Sequence, residues 1–184
     1  ILVATVGAIL LGTGMMASGR RYYKFWERDA GNGQIIFNNV DAISEADSLE
    51  NAYEEIENQL GISGPRLFYN PSELVYKKLI IKDGMARIDF SYGDKYLYYQ
   101  QMSKGVANSI GYNSDRELYK SIHNRFLNNE INVYRNELET GNIEFNAQYI
   151  NENTVFYLVG NIDEKVFDKI VKNLSYVENE GYKR

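Results

Sequence analysis

The sequence predicts an α+β fold: an antiparallel sheet of about six strands with helices packed on one face, preceded by an N-terminal transmembrane helix. Three observations carry this. Residues 1–18, ILVATVGAILLGTGMMAS, hold no charged side chain although 24% of the 184-residue chain is charged. Between Val75 and Gly160, apolar and polar residues alternate with a period of two in runs broken by Gly, Asp and Asn. Apolar residues at three- and four-residue spacing flank that region on both sides. The organisation that follows is a transmembrane anchor at 1–18, a juxtamembrane lead at 19–47, a globular α+β domain at 48–177 and a polar tail at 178–184.

As a helix rising about 1.5 Å per residue, the first run spans about 27 Å, against a hydrocarbon layer of about 30 Å. It exceeds the usual signal-peptide core of roughly 7 to 15 residues, which favours a retained anchor over a signal cleaved near Ala17 and Ser18. No initiating Met stands before Ile1, and further sequence upstream is expected. Ala4, Ala8 and Gly12 form a small-residue stripe that is either ordinary membrane composition or the contact of a dimer through the anchor.

In the lead, Arg20, Arg21, Tyr22, Tyr23, Phe25 and Trp26 read as a membrane-interface collar, amphipathic rings at headgroup depth beside cations that face anionic lipid. A helix that continues the anchor and packs on the domain is the rival reading. The short apolar run QIIF reads as a strand. The basic residues after the anchor, taken alone, would place the domain in the cytoplasm, and the deciding comparison is with the flank upstream.

Asp47 or Ser48 can cap a helix to about Leu60, with Leu49, Ala52, Tyr53, Ile56 and Leu60 on one face and four glutamates on the other; Gly61 stops it. Pro65 and Pro71 mark an irregular crossing. VYKKLIIK and MARIDFSY, joined by Asp83-Gly84, predict a hairpin, because Asp-Gly tolerates the positive φ of a two-residue turn. Gly93-Asp94 turns into KYLYYQQM, and EINVYRNEL, NIEFNAQYI and TVFYLVG add three strands. Residues 114–127 carry a capping box, SDRE, with Leu118, Ile122 and Phe126 at helical spacing, while Asn128-Asn129 just beyond sit like a hairpin turn; the balance favours a strand. Glu144, Asn146 and Gln148 alternate with apolar residues, which predicts a sheet with one face in water. Val166, Phe167, Ile170, Val171 and Leu174 form the stripe of a closing helix, which Asn161 or Asp163 can cap.

A net charge of -5 offers no basic footprint for nucleic acid. With no Cys, the chain has neither disulfides nor thiolate chemistry, and a single histidine, His123, rules out a multi-histidine metal site. No GxSxG, GxxxxGK[ST] or HExxH occurs. No catalytic residue, metal ligand or cofactor is therefore assigned, and a non-enzymatic role is expected. The unusual feature is 16 tyrosines. Tyr92, Tyr96, Tyr98 and Tyr99, with Gln100, mark a ligand-binding strand if the Tyr96 and Tyr98 rings form a flat surface on the wet face; ordinary cross-strand aromatic pairing is the alternative.

The order of these elements, above all LENAYEEIENQLGI, the Pro-containing PRLFYNPSEL and the closing NTVFYLVGNIDEKVFDKIVKNL, resembles domain-of-unknown-function family four-three-six-seven of Gram-positive bacteria, over roughly Ser48 to Tyr176. The resemblance implies the C-terminal, extracytoplasmic domain of a single-pass protein, in some members with an anti-sigma-factor-like module on the cytoplasmic side. It thus implies a sensory or regulatory role with a protein partner or a cell-wall ligand, and it assigns no catalytic residue. The alternation of strands between two helices is also similar to the Mog1/PsbP-like sandwiches, a likeness of fold that transmits no function.

Overall fold

The computed structural model describes residues 26–28, 35–37, 46–109 and 118–176. The chain divides into two units, Ile1–Asp41 and Ala42–Arg184. In the first, β1 (Trp26–Arg28) pairs antiparallel with β2 (Ile35–Phe37), Trp26 opposite Phe37. The anchor expected at residues 1–18 and the collar residues Arg20, Arg21, Tyr22, Tyr23 and Phe25 lie outside the described residues, and Trp26 is described by its backbone alone. Among the described residues no helix is long and apolar enough to cross a membrane.

The second unit is α+β and mostly antiparallel sheet. Its first helix, α1 (Leu49–Leu60), starts where Ser48 Oγ accepts the Asn51 N–H at 3.2 Å and stops at Gly61, left-handed at φ 64°, whose N–H returns to the Glu57 carbonyl. Ala52, Tyr53 and Ile56 are its buried face. The crossing that follows carries β3 (Arg66–Leu67), which pairs with β11 (Leu174–Ser175) at the end of the unit.

The main sheet has seven strands rather than about six. They are β4 (Leu74–Lys82), β5 (Met85–Tyr92), β6 (Lys95–Ser103), β7 (Leu118–Asn124), β8 (Asn129–Glu137), β9 (Ile143–Ile150) and β10 (Thr154–Gly160). In space they run β4-β5-β6-β10-β9-β8-β7, all neighbours antiparallel, so two meanders join where β6 meets β10. Asp83 at φ 50° and Gly84 at φ 77° make the predicted two-residue turn between β4 and β5. The ambiguous segment ends in strand β7. Asn128, left-handed at φ 48°, stands in the loop that returns it to β8, and pairing with β8 decides the conformation that local spacing left open.

Both long helices pack on one face of this sheet. Helix α1 touches β4 and β5, while α3 (Glu164–Lys172) touches β7 and β9 through Phe167, Ile170 and Val171. Between them and the sheet lies the core, including Leu79, Ile88, Leu97, Tyr99, Ile131, Val133, Phe156 and Leu158. Asp163 occupies the N-cap position of α3 without a side-chain cap bond, because its carboxylate pairs with Lys95 at 2.8 Å; Asn161 instead accepts the Tyr96 N–H at 2.8 Å. A third, short helix, α2 (Lys104–Ser109), touches β6 and β10.

The expected wet face is not wet along its middle. On the side away from α1 and α3, Val155, Tyr157 and Val159 of β10 are buried, as are Gln100 and Met102 of β6 and Glu144 and Asn146 of β9. The reason is position: β10 is the central strand of seven, and its unbroken VFYLV run serves two buried faces. The alternation in β9 separates core from a polar layer, not core from water.

Candidate functional site

That polar layer is built by register. Across β5, β6, β10 and β9 the pairings Arg87↔Gln100, Asp89↔Tyr98, Gln100↔Tyr157 and Val159↔Asn146 put these side chains on the face opposite the long helices. Tyr96 and Tyr98, two apart on β6, stack with centroids 5.2 Å apart and planes 7° from parallel. The Arg87 guanidinium lies 4.3 Å from the Tyr98 ring centre, is ion-paired to Asp89, and Lys78 approaches Asp89 at 3.7 Å. At the other end of the stack, Tyr96 Oη donates to Glu144 Oε2 at 2.6 Å.

The layer therefore runs from Asp89 through Arg87, Tyr98 and Tyr96 to Glu144. Burial raises the pKa of both phenols well above the ordinary value; for Tyr96 the hydrogen bond to the Glu144 carboxylate adds to it, and for Tyr98 the Glu144 charge does. Both stay neutral donors at any physiological pH. Beyond Glu144, Asn146 is only 3% exposed, and neither its Oδ1 nor Nδ2 of Asn136, which stands opposite Glu144, has a hydrogen-bond partner among the described residues.

Of the residues singled out in the sequence, the fold brings Tyr96, Tyr98 and Gln100 together on this face and sends Tyr92 and Tyr99 to the other. Tyr99 sits opposite Ile88 and is buried beneath α1, edge-on to Tyr53 at 6.4 Å and stacked on Phe156, with its hydroxyl donating to the Pro65 carbonyl at 2.6 Å. Tyr92 packs half-buried against the same core. Alternation along β6 puts Tyr96, Tyr98 and Gln100 on one face and Tyr99 on the other, and Tyr92, at the end of β5, shares the face of Ile88 and Phe90. The flat surface is corrected too, since the two rings stack on each other rather than lying side by side.

The sequence marks Glu144 and Asn146 only as members of an alternating strand, and neither they nor Arg87 and Asp89 are read there as site residues. The apolar density of VFYLV was the available signal, since it marks the strand whose neighbours are covered on both faces.

Further along the same face, towards the β7 edge, the layer opens into a hollow of about 210 Å3 lined by Asn129, Glu130, Asn132, Gln148, Tyr149 and Ile150. Its floor is the Asn132↔Gln148 pair of β8 and β9. Gln148 Nε2 donates to Tyr157 Oη at 3.1 Å, and Ser121 Oγ donates to Asn132 Oδ1 at 3.0 Å. His123, exposed on β7, places Nδ1 3.0 Å from Glu130 Oε1, and among the described residues this is its ion-pairing contact. Among the described residues no three His, Cys, Asp or Glu gather as metal ligands.

A family model described as Domain of unknown function (DUF4367) matches residues 64–174, from the crossing after α1 to the first residue of β11. No curated protein and no solved structure matches the chain.

Proposed function

The chain belongs to the DUF4367 family, and from that premise we propose that it is the extracytoplasmic sensor or protein-interaction domain of a membrane-anchored protein, the outer part of an anti-sigma-type regulator of a Gram-positive bacterium. The observation that carries the reading is the polar layer itself. The central sheet holds Tyr96, Glu144 and Asn146 in place, and among the described residues a buried amide oxygen on Asn146 and a buried amide nitrogen on Asn136 stand without partners. Native folds rarely leave such groups orphaned, and a docked molecule is one way of satisfying them.

We take the role to be non-enzymatic, a reading supported by the lack of a GxSxG, GxxxxGK[ST] or HExxH motif in the sequence; the ion pairs of Lys120 with Glu164 and Asp168, Lys95 with Asp163, and Arg66 with Glu50 tie elements of the fold to one another. Support for the membrane placement comes from the charge-free run Ile1–Ser18 and the aromatic-basic residues behind it. Protease added to intact cells that carry the full chain should digest the tyrosine-rich domain. Protection until the cells are lysed would overturn the extracytoplasmic placement.

A second reading, a module that binds cell-wall glycan or peptide through the tyrosine-rich strand, is favoured by the open amide-lined hollow on the same face as Tyr96 and Tyr98.

A further inference from the structure

The hollow over β8 and β9 has a donor and acceptor pattern that selects a ligand. Gln148 and Asn132 face each other across the strand pair, and each spends one half of its amide on a neighbour. Gln148 gives its Nε2 to Tyr157, which leaves Oε1 as an acceptor. Asn132 receives Ser121 on Oδ1, which leaves Nδ2 as a donor. Neither remaining atom is bonded within the described residues. An acceptor and a donor that face each other can take the two opposite edges of a trans secondary amide lying between them, its N–H on one side and its carbonyl on the other.

Two further side chains narrow the class. Ile150, 49% exposed, puts an apolar surface at the rim. Glu130, held at one oxygen by His123, keeps its other carboxylate oxygen for a hydroxyl. An amide with a small apolar substituent and a nearby hydroxyl is the acetamido group of an N-acetylated sugar. The hollow, about 210 Å3, has room for a ligand far larger than a single water.

We propose that this hollow is a binding site for an N-acetylhexosamine unit. Its acetamido N–H donates to Gln148 Oε1, its carbonyl accepts from Asn132 Nδ2, its methyl lies on Ile150 and a ring hydroxyl donates to Glu130. The proposal rests on the glycan reading of the domain and moves its centre from the tyrosine-rich strand to β8 and β9.

The test is titration of the full chain in lipid nanodiscs with chitotriose and, in parallel, with cellotriose, which has the same linkage without the acetamido groups. Side-chain amide and methyl resonances are followed by NMR. Chitotriose should saturate with shifts at Asn132, Gln148 and Ile150, and cellotriose should not. Asn132→Asp keeps the shape and the acceptor for Ser121 but removes the donor, and should weaken binding about tenfold or more, as should Gln148→Leu. Asn132 is exposed and Gln148 half-buried, and an unchanged backbone spectrum will show that the fold is kept. Equal binding of the two trisaccharides, or wild-type affinity in Asn132→Asp, would overturn the assignment. Saturable chitotriose shifts confined to Tyr96 and Tyr98 would overturn this site and leave the glycan reading standing. No shift with either sugar up to about 20 mM would overturn both.

Discussion

Two buried asparagines show what a polar side chain contributes depending on its partners. Asn124, at the end of β7, is fully buried and makes four hydrogen bonds: Nδ2 donates to the Val171 and Leu174 carbonyls at 2.7 and 2.9 Å, and Oδ1 accepts the Phe126 and Leu127 N–H groups at 2.9 and 2.8 Å. It thereby closes the C-terminal end of α3, whose last carbonyls lack helical partners, and shapes the hairpin loop in the same stroke. Asn146 is almost as buried, yet its Oδ1 has no partner among the described residues. The same substitution should therefore act differently at the two sites. Asn124→Leu removes all four of these buried hydrogen bonds and should cost about 2 to 4 kcal/mol, a fall in melting temperature of roughly 10 °C. Asn146→Leu removes an orphan and should leave the melting temperature unchanged or higher, as expected of a residue kept for binding. Thermal unfolding followed by circular dichroism measures both, and a loss at Asn146→Leu as large as that at Asn124→Leu would make the amide structural and remove the main support for a docking role.

Individual elements were legible wherever the deciding chemistry is local. Ser48 and Gly61 bound α1, and Asp83-Gly84 turns β4 into β5, because a cap and a positive-φ turn depend only on residues a few positions apart. Asp163 was legible as the start of α3 but not as the partner of Lys95, 68 positions away, which takes the carboxylate the cap would have used. The final residue of β10 belongs to the same class of non-local effects. Gly160 stands opposite Leu97, and a Cβ placed there would lie 2.7 Å from both the Tyr96 carbonyl oxygen and Leu97 Cδ1. Gly160→Ala must push β10 away from β6 and should cost about 1 to 3 kcal/mol. Gly105 in α2 provides the contrast, because a Cβ there meets nothing closer than Ser103 Oγ at 3.9 Å and alanine is the better helix former. Urea unfolding should show Gly160→Ala with a lowered midpoint and Gly105→Ala with an equal or raised one; the reverse order would mean that β6 and β10 are not packed as described.

At the scale of the whole molecule, the join of β6 to β10 is what the sequence least revealed. Each meander follows from its own turns, but no turn links strands more than fifty residues apart, and only the shared need to bury both faces brings them together. That join is also where the tyrosines concentrate, and it sets how the domain meets alkali. Burial holds Tyr53, Tyr96, Tyr98 and Tyr99 neutral well above the ordinary phenol pKa of 10.0, with the Glu144 carboxylate reinforcing it at Tyr96 and Tyr98. In the unfolded chain the same phenols ionise near pH 10, so above that pH the unfolded state releases protons that the fold retains. Stability from these four groups is therefore complete below about pH 10 and is lost as pH rises beyond it. Absorbance at 295 nm should show exposed phenols titrating reversibly near pH 10, followed by a steep, cooperative rise that coincides with loss of the far-ultraviolet circular dichroism signal. Tyr96→Phe and Tyr98→Phe together should reduce that second step and shift it to higher pH, since two of the four groups that pull the chain open are gone. If all 16 tyrosines instead titrate as one smooth curve near pH 10 while the dichroism is unchanged, the buried tyrosine arrangement at the centre of the sheet is wrong.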